Sequence, residues 1–220
     1  MRSFDEIYAI AAERKGAEAL EAALGQPKST AELMQIPEDR WLSRMTRSVF
    51  EAGFNWKVVD NMWPGFETAF RGFDVNPCAF MPDDWFDELV SDRRIVRHGP
   101  KIRAVQSNAR FIQDLRDEGG IAETIANWPA SEYAALLEML KKRGTRLGGM
   151  TGPYFLRFMG CDSYILSRDV TTRLIAEGVI DKMPTSKSAM KSVQEAFNIW
   201  ADQSGRSLTE ISRVLARSVG

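Results

Sequence analysis

Residues 140–173 read LKKRGTRLGGMTGPYFLRFMGCDSYILSRDVTTR, a stretch that sets a basic helix end, a Gly-rich turn and an isolated acid in close succession. Gly148, Gly149 and Gly152 free the turn to adopt positive φ and bring its backbone N–H groups close to a ligand. The helix that follows points its positive N-terminal end the same way, which suits a phosphate. Lys141, Lys142 and Arg143 precede the turn and Thr151 lies at its exit. Asp169, in SRDVTTR, reads as a loop-to-helix junction with the acid at the N-cap, where one carboxylate can cap a helix and still balance a developing positive charge. A second basic run, Arg93, Arg94, Arg97, His98, Lys101 and Arg103, flanks the Gly99-Pro100 turn. The formal net charge is −1, so any attraction to nucleic acid must come from such local concentrations.

The elements that must position these residues are helical throughout. Phe4, Ile7, Tyr8, Ile10 and Ala11 recur at helical spacing up to Gly16, and a second short helix runs through Leu24. Ser29-Thr30 marks an N-cap for a helix closed by Ile36-Pro37, completing an accessory layer over residues 1–36. Leu42, Met45, Val49 and Phe50 form one buried stripe on a helix that ends by Gly53. Trp56 starts the next, which the pattern predicts to be interrupted at Pro64-Gly65. Residues 73–77 read as a turn, Pro82-Asp83-Asp84 as a helix start, and Gly99-Pro100 as a separator before a helix with Ile102, Val105, Ala109, Ile112 and Leu115 on one side. Further helices are expected at 131–142 and, after the Gly-rich turn, at about 169–178, 186–202 and 207–218; residues 185–220 make up the C-terminal layer. No period-2 pattern persists, so the fold class is all-α, taken as a single domain over residues 1–220.

With 44% hydrophobic and 27% charged residues the composition is that of an ordinary globular protein. No apolar run approaches the roughly 20 residues a membrane-spanning helix needs, and acids lie inside the first helical pattern, so a cytoplasmic protein without a membrane partner is expected. Cys78 and Cys161 lack any CxxC spacing and read as reduced core thiols, and His98 is the sole histidine, so no metal site and no cofactor are expected.

From about Trp41 to Arg173 the chain resembles the DNA-3-methyladenine glycosylase I family, a branch of the helix-hairpin-helix DNA glycosylases. The matching pieces are Glu51-Ala52-Gly53-Phe54-Asn55-Trp56, like the family's AGLSW; Arg94-Ile95-Val96-Arg97-His98 with Lys101-Ile102, like GIIRHRGKI; Ser107-Asn108-Ala109-Arg110, like GNAR; and Leu140-Lys141-Lys142-Arg143-Gly144, like LKKRG. The resemblance implies a helix-hairpin-helix bundle, with the hairpin and active-site segment at 140–173, that acts as a monomer on double-stranded DNA containing alkylated bases. It departs from the family in lacking the two cysteines and two histidines of the family's zinc site, which implies a zinc-free variant. The family glutamate that reads the base aligns with Ser48, and Glu51, one turn later on the same helix face, is placed to take over.

Carried over residue by residue, the resemblance makes Trp56 the ring that stacks on an extruded base, Phe54 the wedge that fills the gap it leaves, and Ser48 and Tyr154 base-pocket residues. Glu51 and Asp169 become the catalytic carboxylates, and Arg97, His98, Lys101, Lys141, Lys142, Arg143, Gly148, Gly149, Thr151 and Gly152 the DNA contacts. The lysine used by strand-nicking superfamily members falls near Pro153, which cannot form a Schiff base, so a hydrolase without lyase activity is implied. Two readings remain: a glycosylase that releases alkylated purines, chiefly 3-methyladenine, or a catalytically silent protein of the same fold that binds damaged or distorted duplex.

Overall fold

The computed structural model describes residues 1–219. In chain order its α-helices are Phe4–Lys15 (α1), Ala17–Leu24 (α2), Thr30–Met34 (α3), Glu38–Glu51 (α4), Trp56–Ala69 (α5), Val75–Phe80 (α6), Asp83–Ser91 (α7), Gly99–Leu115 (α8), Ile121–Ala126 (α9), Tyr133–Arg143 (α10), Thr151–Met159 (α11), Arg168–Ala176 (α12), Lys187–Ser204 (α13) and Leu208–Arg217 (α14). No strand occurs among the described residues, and the all-α expectation holds. The chain forms two compact units, one of residues 1–28, 128–136 and 160–220, the other of residues 29–127 and 137–159, so the division falls inside α10.

In the first unit α14 packs against α1, α2, α12 and α13. Its stripe of Leu208, Ile211, Val214 and Leu215 is fully buried, and Ser207 and Glu210 form a capping box that fixes where it starts. Asp162 accepts hydrogen bonds from the Leu208 and Thr209 amides at 3.1 and 2.8 Å. Tyr164 lies between Tyr133 and Phe197, with ring centroids 4.6 and 4.3 Å away.

The second unit is built on α4, whose apolar stripe is buried against α8 and α11. Trp63, Phe66, Phe70 and Phe73 stack in series beneath it, and Trp41 meets Phe155 edge-on at 5.9 Å. Three expectations are corrected here. Pro64 does not interrupt α5: the helix runs through it, and Gly65 lets the loop before α8 approach so closely that an added Cβ would stand 2.3 Å from the Arg94 carbonyl oxygen. Residues 75–80 are helical, because Asp74 accepts from the Asn76 amide and caps them. Gly99 and Pro100 do not separate α8 from its surroundings but form its first turn, Pro being suited to a position whose N–H would have no helical partner.

Candidate active site

Positions 44, 47, 48 and 51 share one face of the last two turns of α4, and the structure joins all four. Glu51 is buried and ion-paired to Arg44, while its other oxygen accepts from Arg47 Nε at 3.1 Å. Arg44 also donates from Nε and Nη2 to the Ser48 hydroxyl at 3.2 and 3.0 Å. Arg47 in turn pairs with Asp60 on α5. Burial lowers the Arg44 pKa and the neighbouring Glu51 carboxylate opposes it. Ser48 and Glu51 therefore do meet, but through a guanidinium that sequence reasoning did not single out. The i, i+4, i+7 spacing of Arg44, Ser48 and Glu51 was the available signal.

Beside this face lies an aromatic cluster open to solvent. Trp56 begins α5 under an Asn55 cap, and Tyr154 and Phe158 sit one turn apart on α11. The Trp56 ring meets Tyr154 at 5.2 Å and Phe158 at 5.9 Å, both edge-on, and Tyr154 and Phe158 stack at 6.1 Å. Trp56 is 43% and Phe158 50% exposed, a clear departure from the burial that large rings usually reach. The Arg44 guanidinium lies over the Phe158 ring, 4.7 Å from its centroid, and links cluster and ionic face. Phe158 went unremarked in the sequence, although its place four residues after Tyr154 in an apolar helix puts both on one side.

Phe54 projects from the turn between α4 and α5, where Gly53 takes φ +78°. Lys101 fixes that turn. Its Nζ donates to the carbonyls of Ala52 at 2.6 Å and Phe50 at 3.3 Å and stands 4.3 Å from the Phe54 ring centroid. Lys101 was expected at the DNA surface, but it is 6% exposed, and burial depresses its pKa. Its ammonium supports the Phe54 turn from behind. His98 caps α8 through Nδ1, which accepts from the Lys101 amide at 3.3 Å, and its ring faces Phe54 edge-on at 6.2 Å. Arg97, just ahead, is exposed.

The hairpin between α10 and α11 is held from below by Asn108, wholly buried on α8, which accepts from the Thr145 amide at 2.7 Å and donates to its carbonyl at 3.1 Å. This gives the Ser-Asn-Ala-Arg segment a structural reason. The three turn glycines differ in role from the common one expected of them. Gly149 alone has positive φ, at +60°; Gly152 is required because its Cβ would lie 2.6 Å from the Leu147 carbonyl oxygen; Gly148 meets only the Lys141 stem. The Thr151 amide donates to the Gly148 carbonyl at 3.3 Å. Lys141 and Lys142 are exposed, Lys142 facing Glu138 at 3.5 Å. Arg143 pairs with Glu118 at 2.8 Å, a hydrogen bond that raises its pKa.

In the other unit, Asp169 is exposed in the first turn of α12. It is not the N-cap: Ser167 is, its hydroxyl accepting from the Val170 amide at 3.3 Å. The helix start is therefore satisfied without Asp169. Cys78 and Cys161 are buried free thiols, both pushed up to about 12 by burial. Among the described residues no three His, Cys, Asp or Glu side chains gather as metal ligands, and no helix is long and apolar enough to cross a membrane.

The all-helical fold is similar to those of DNA glycosylases of known structure. It is similar to the 8-oxoguanine DNA glycosylase of Methanocaldococcus jannaschii over 95% of this chain and 89% of that one, with a TM-score of 0.56 at 14% identity. A structure of the 8-oxoguanine glycosylase/lyase from the same organism, in complex with a 15mer DNA, matches 96% of this chain and 95% of its own with a TM-score of 0.54. Residues 36–134, less than half of the chain, match the methyladenine glycosylase family model. DNA-3-methyladenine glycosylase 1 of Escherichia coli (strain K12) is 30% identical over 120 residues, 46% of this chain, and the match spans 64% of that relative's length.

Proposed function

We propose that the chain is a DNA glycosylase that hydrolyses the N-glycosidic bond of alkylated purines, with 3-methyladenine the leading substrate and no lyase step. The observation that carries this reading is the cluster of half-exposed Trp56 and Phe158 with Tyr154 next to the Arg44–Glu51 face, which together with Trp56 lies inside the matched segment. Large rings left open to water lack a folding rationale, yet they suit an extruded base, for which stacking contributes roughly 1–3 kcal/mol. Phe54, 38% exposed on a turn braced by Lys101, suits the wedge that partly offsets lost base stacking.

The chemistry asks little of the protein beyond this. A purine methylated at N3 is cationic, so it leaves as a neutral base and needs no acid on the leaving group. The remaining task is to balance positive charge at the sugar and orient a water, and Asp169 is the residue proposed for it. That Ser167 caps α12 supports this assignment, since Asp169 is not needed to start its helix. Pro153 in place of a lysine supports hydrolysis without strand nicking. Lys141, Lys142, Arg97 and the hairpin backbone would hold the duplex, with the protein acting as a monomer in the cytoplasm.

One observation favours the second reading, a catalytically silent binder of damaged duplex: Ser48 replaces an acid and Glu51 is already engaged by two arginines. Incubation with alkylated DNA, followed by identification of released bases, separates the two. Release of free 3-methyladenine is expected, and tight binding of damaged duplex without any base release would establish the silent reading.

A further inference from the structure

Lys101 holds a buried charge that packing alone does not call for. It is 6% exposed, burial and the positive charge of Arg146 both disfavour its ammonium, and among the described residues no carboxylate pairs with it. A methionine of similar length would fill the same space without that cost. What the charge reaches is the turn between α4 and α5. Nζ donates to the carbonyls of Ala52 and Phe50 at the C-terminal end of α4, where helical N–H partners run out, and it lies over the Phe54 ring, 4.3 Å from the centroid. His98, which caps the same helix start, meets Phe54 edge-on at 6.2 Å, and its Nδ1 accepts from the Lys101 amide. One residue thus secures the backbone beneath Phe54 and both groups that flank its ring, while the ring itself stays 38% exposed.

Resting on the reading of Phe54 as the wedge, we propose that Lys101 is a positioning residue for that ring. By setting Phe54 in its outward pose before DNA arrives, it speeds entry of the wedge into the duplex, a step separate from cleavage of the glycosidic bond. A side chain that must be ordered on binding gives up part of the interaction it makes, and one ordered beforehand does not. A cation suits the task because it engages the ring and the carbonyls together, which an apolar side chain cannot do.

The test follows wedge entry by stopped-flow fluorescence of a duplex that carries 2-aminopurine opposite a tetrahydrofuran abasic analogue. No glycosidic bond is broken at that site, so the readout holds for a glycosylase and for a silent binder alike. Wild type is compared with Phe54→Ala, Lys101→Met, Lys101→Gln and the double variant Phe54→Ala/Lys101→Gln. Both Lys101 variants are expected to slow the fluorescence change about tenfold. The double variant is expected to be no slower than Phe54→Ala alone, because Lys101 acts through that ring; a general structural loss would add to it. Glutamine keeps a donor for the α4 carbonyls but not the charge over the ring, so it decides alone should methionine prevent folding. Wild-type speed in a Lys101→Gln protein that melts with the wild type, or losses that add in the double variant, overturns the assignment and leaves the wedge standing. Wild-type speed in Phe54→Ala instead removes the wedge itself, and the assignment with it.

Discussion

The C-terminal end of α4 and the N-terminal start of α12 each carry an acid, and the two ends treat it in opposite ways. A carboxylate in the last turn of a helix opposes the negative end of the helix dipole, and a buried one also loses its water. Glu51 meets both penalties, and two guanidiniums offset them. Asp169 lies in a first turn, where the dipole favours it, and it keeps its solvent. An acid that needs partners becomes part of the scaffold, whereas one that does not remains available to a substrate.

The sharpest way to break this comparison is Asp169→Asn. Base release in single-turnover kinetics should slow by about 100-fold or more, the scale for one positioned catalytic group. Melting should move by no more than about 0.5 kcal/mol, because Ser167 still caps the helix. An undiminished rate would reduce Asp169 to a favourable surface charge.

Glu51→Gln should do the reverse, acting on stability first. It leaves Arg44 buried with a neutral acceptor, at a cost of about 2–3 kcal/mol, or roughly 5–10 °C in a chain of this size. Calorimetry checks this, and an unmoved Tm would show that Glu51 is not scaffold.

Trp56→Ala comes next. It should weaken binding of free 3-methyladenine by roughly 1–3 kcal/mol with little effect on melting, since the ring is already half exposed. Equal affinity by titration calorimetry would remove Trp56 from the pocket.

The smallest effect is expected away from both acids. Replacing Lys141 and Lys142 with Ala should weaken undamaged and damaged duplex alike and lower the slope of log affinity against log salt by about 1–2. Arg143→Ala should change that slope less, because Glu118 already engages its guanidinium. A larger change from Arg143 than from the lysine pair would reverse their ranking.

Much of this was legible in the chain. Ser29 and Ser207 announce their helices because capping is a local competition between a side chain and the first free amides. Residues 75–80 were missed because Asp74 was read as part of a turn, although an Asx side chain serves turn and cap equally well. Arg44 and Phe158 were missed for a different reason: their roles depend on which helix each one faces. A lone Arg on an amphipathic helix reads as solvated surface until α11 brings a ring over it.

By itself, then, the sequence determined the all-helical class, several of the helix starts and the basic hairpin, since periodicity, caps and charge runs act over one or two turns. Only the tertiary structure decided that Lys101 braces the Phe54 turn, that Asn108 pins the hairpin, and that Glu51 gives its charge to Arg44. Each of these is a bond between residues that helical spacing cannot relate, or a choice between water and a buried partner. The difference in desolvation that settles such a choice exists only once the chain has closed around it.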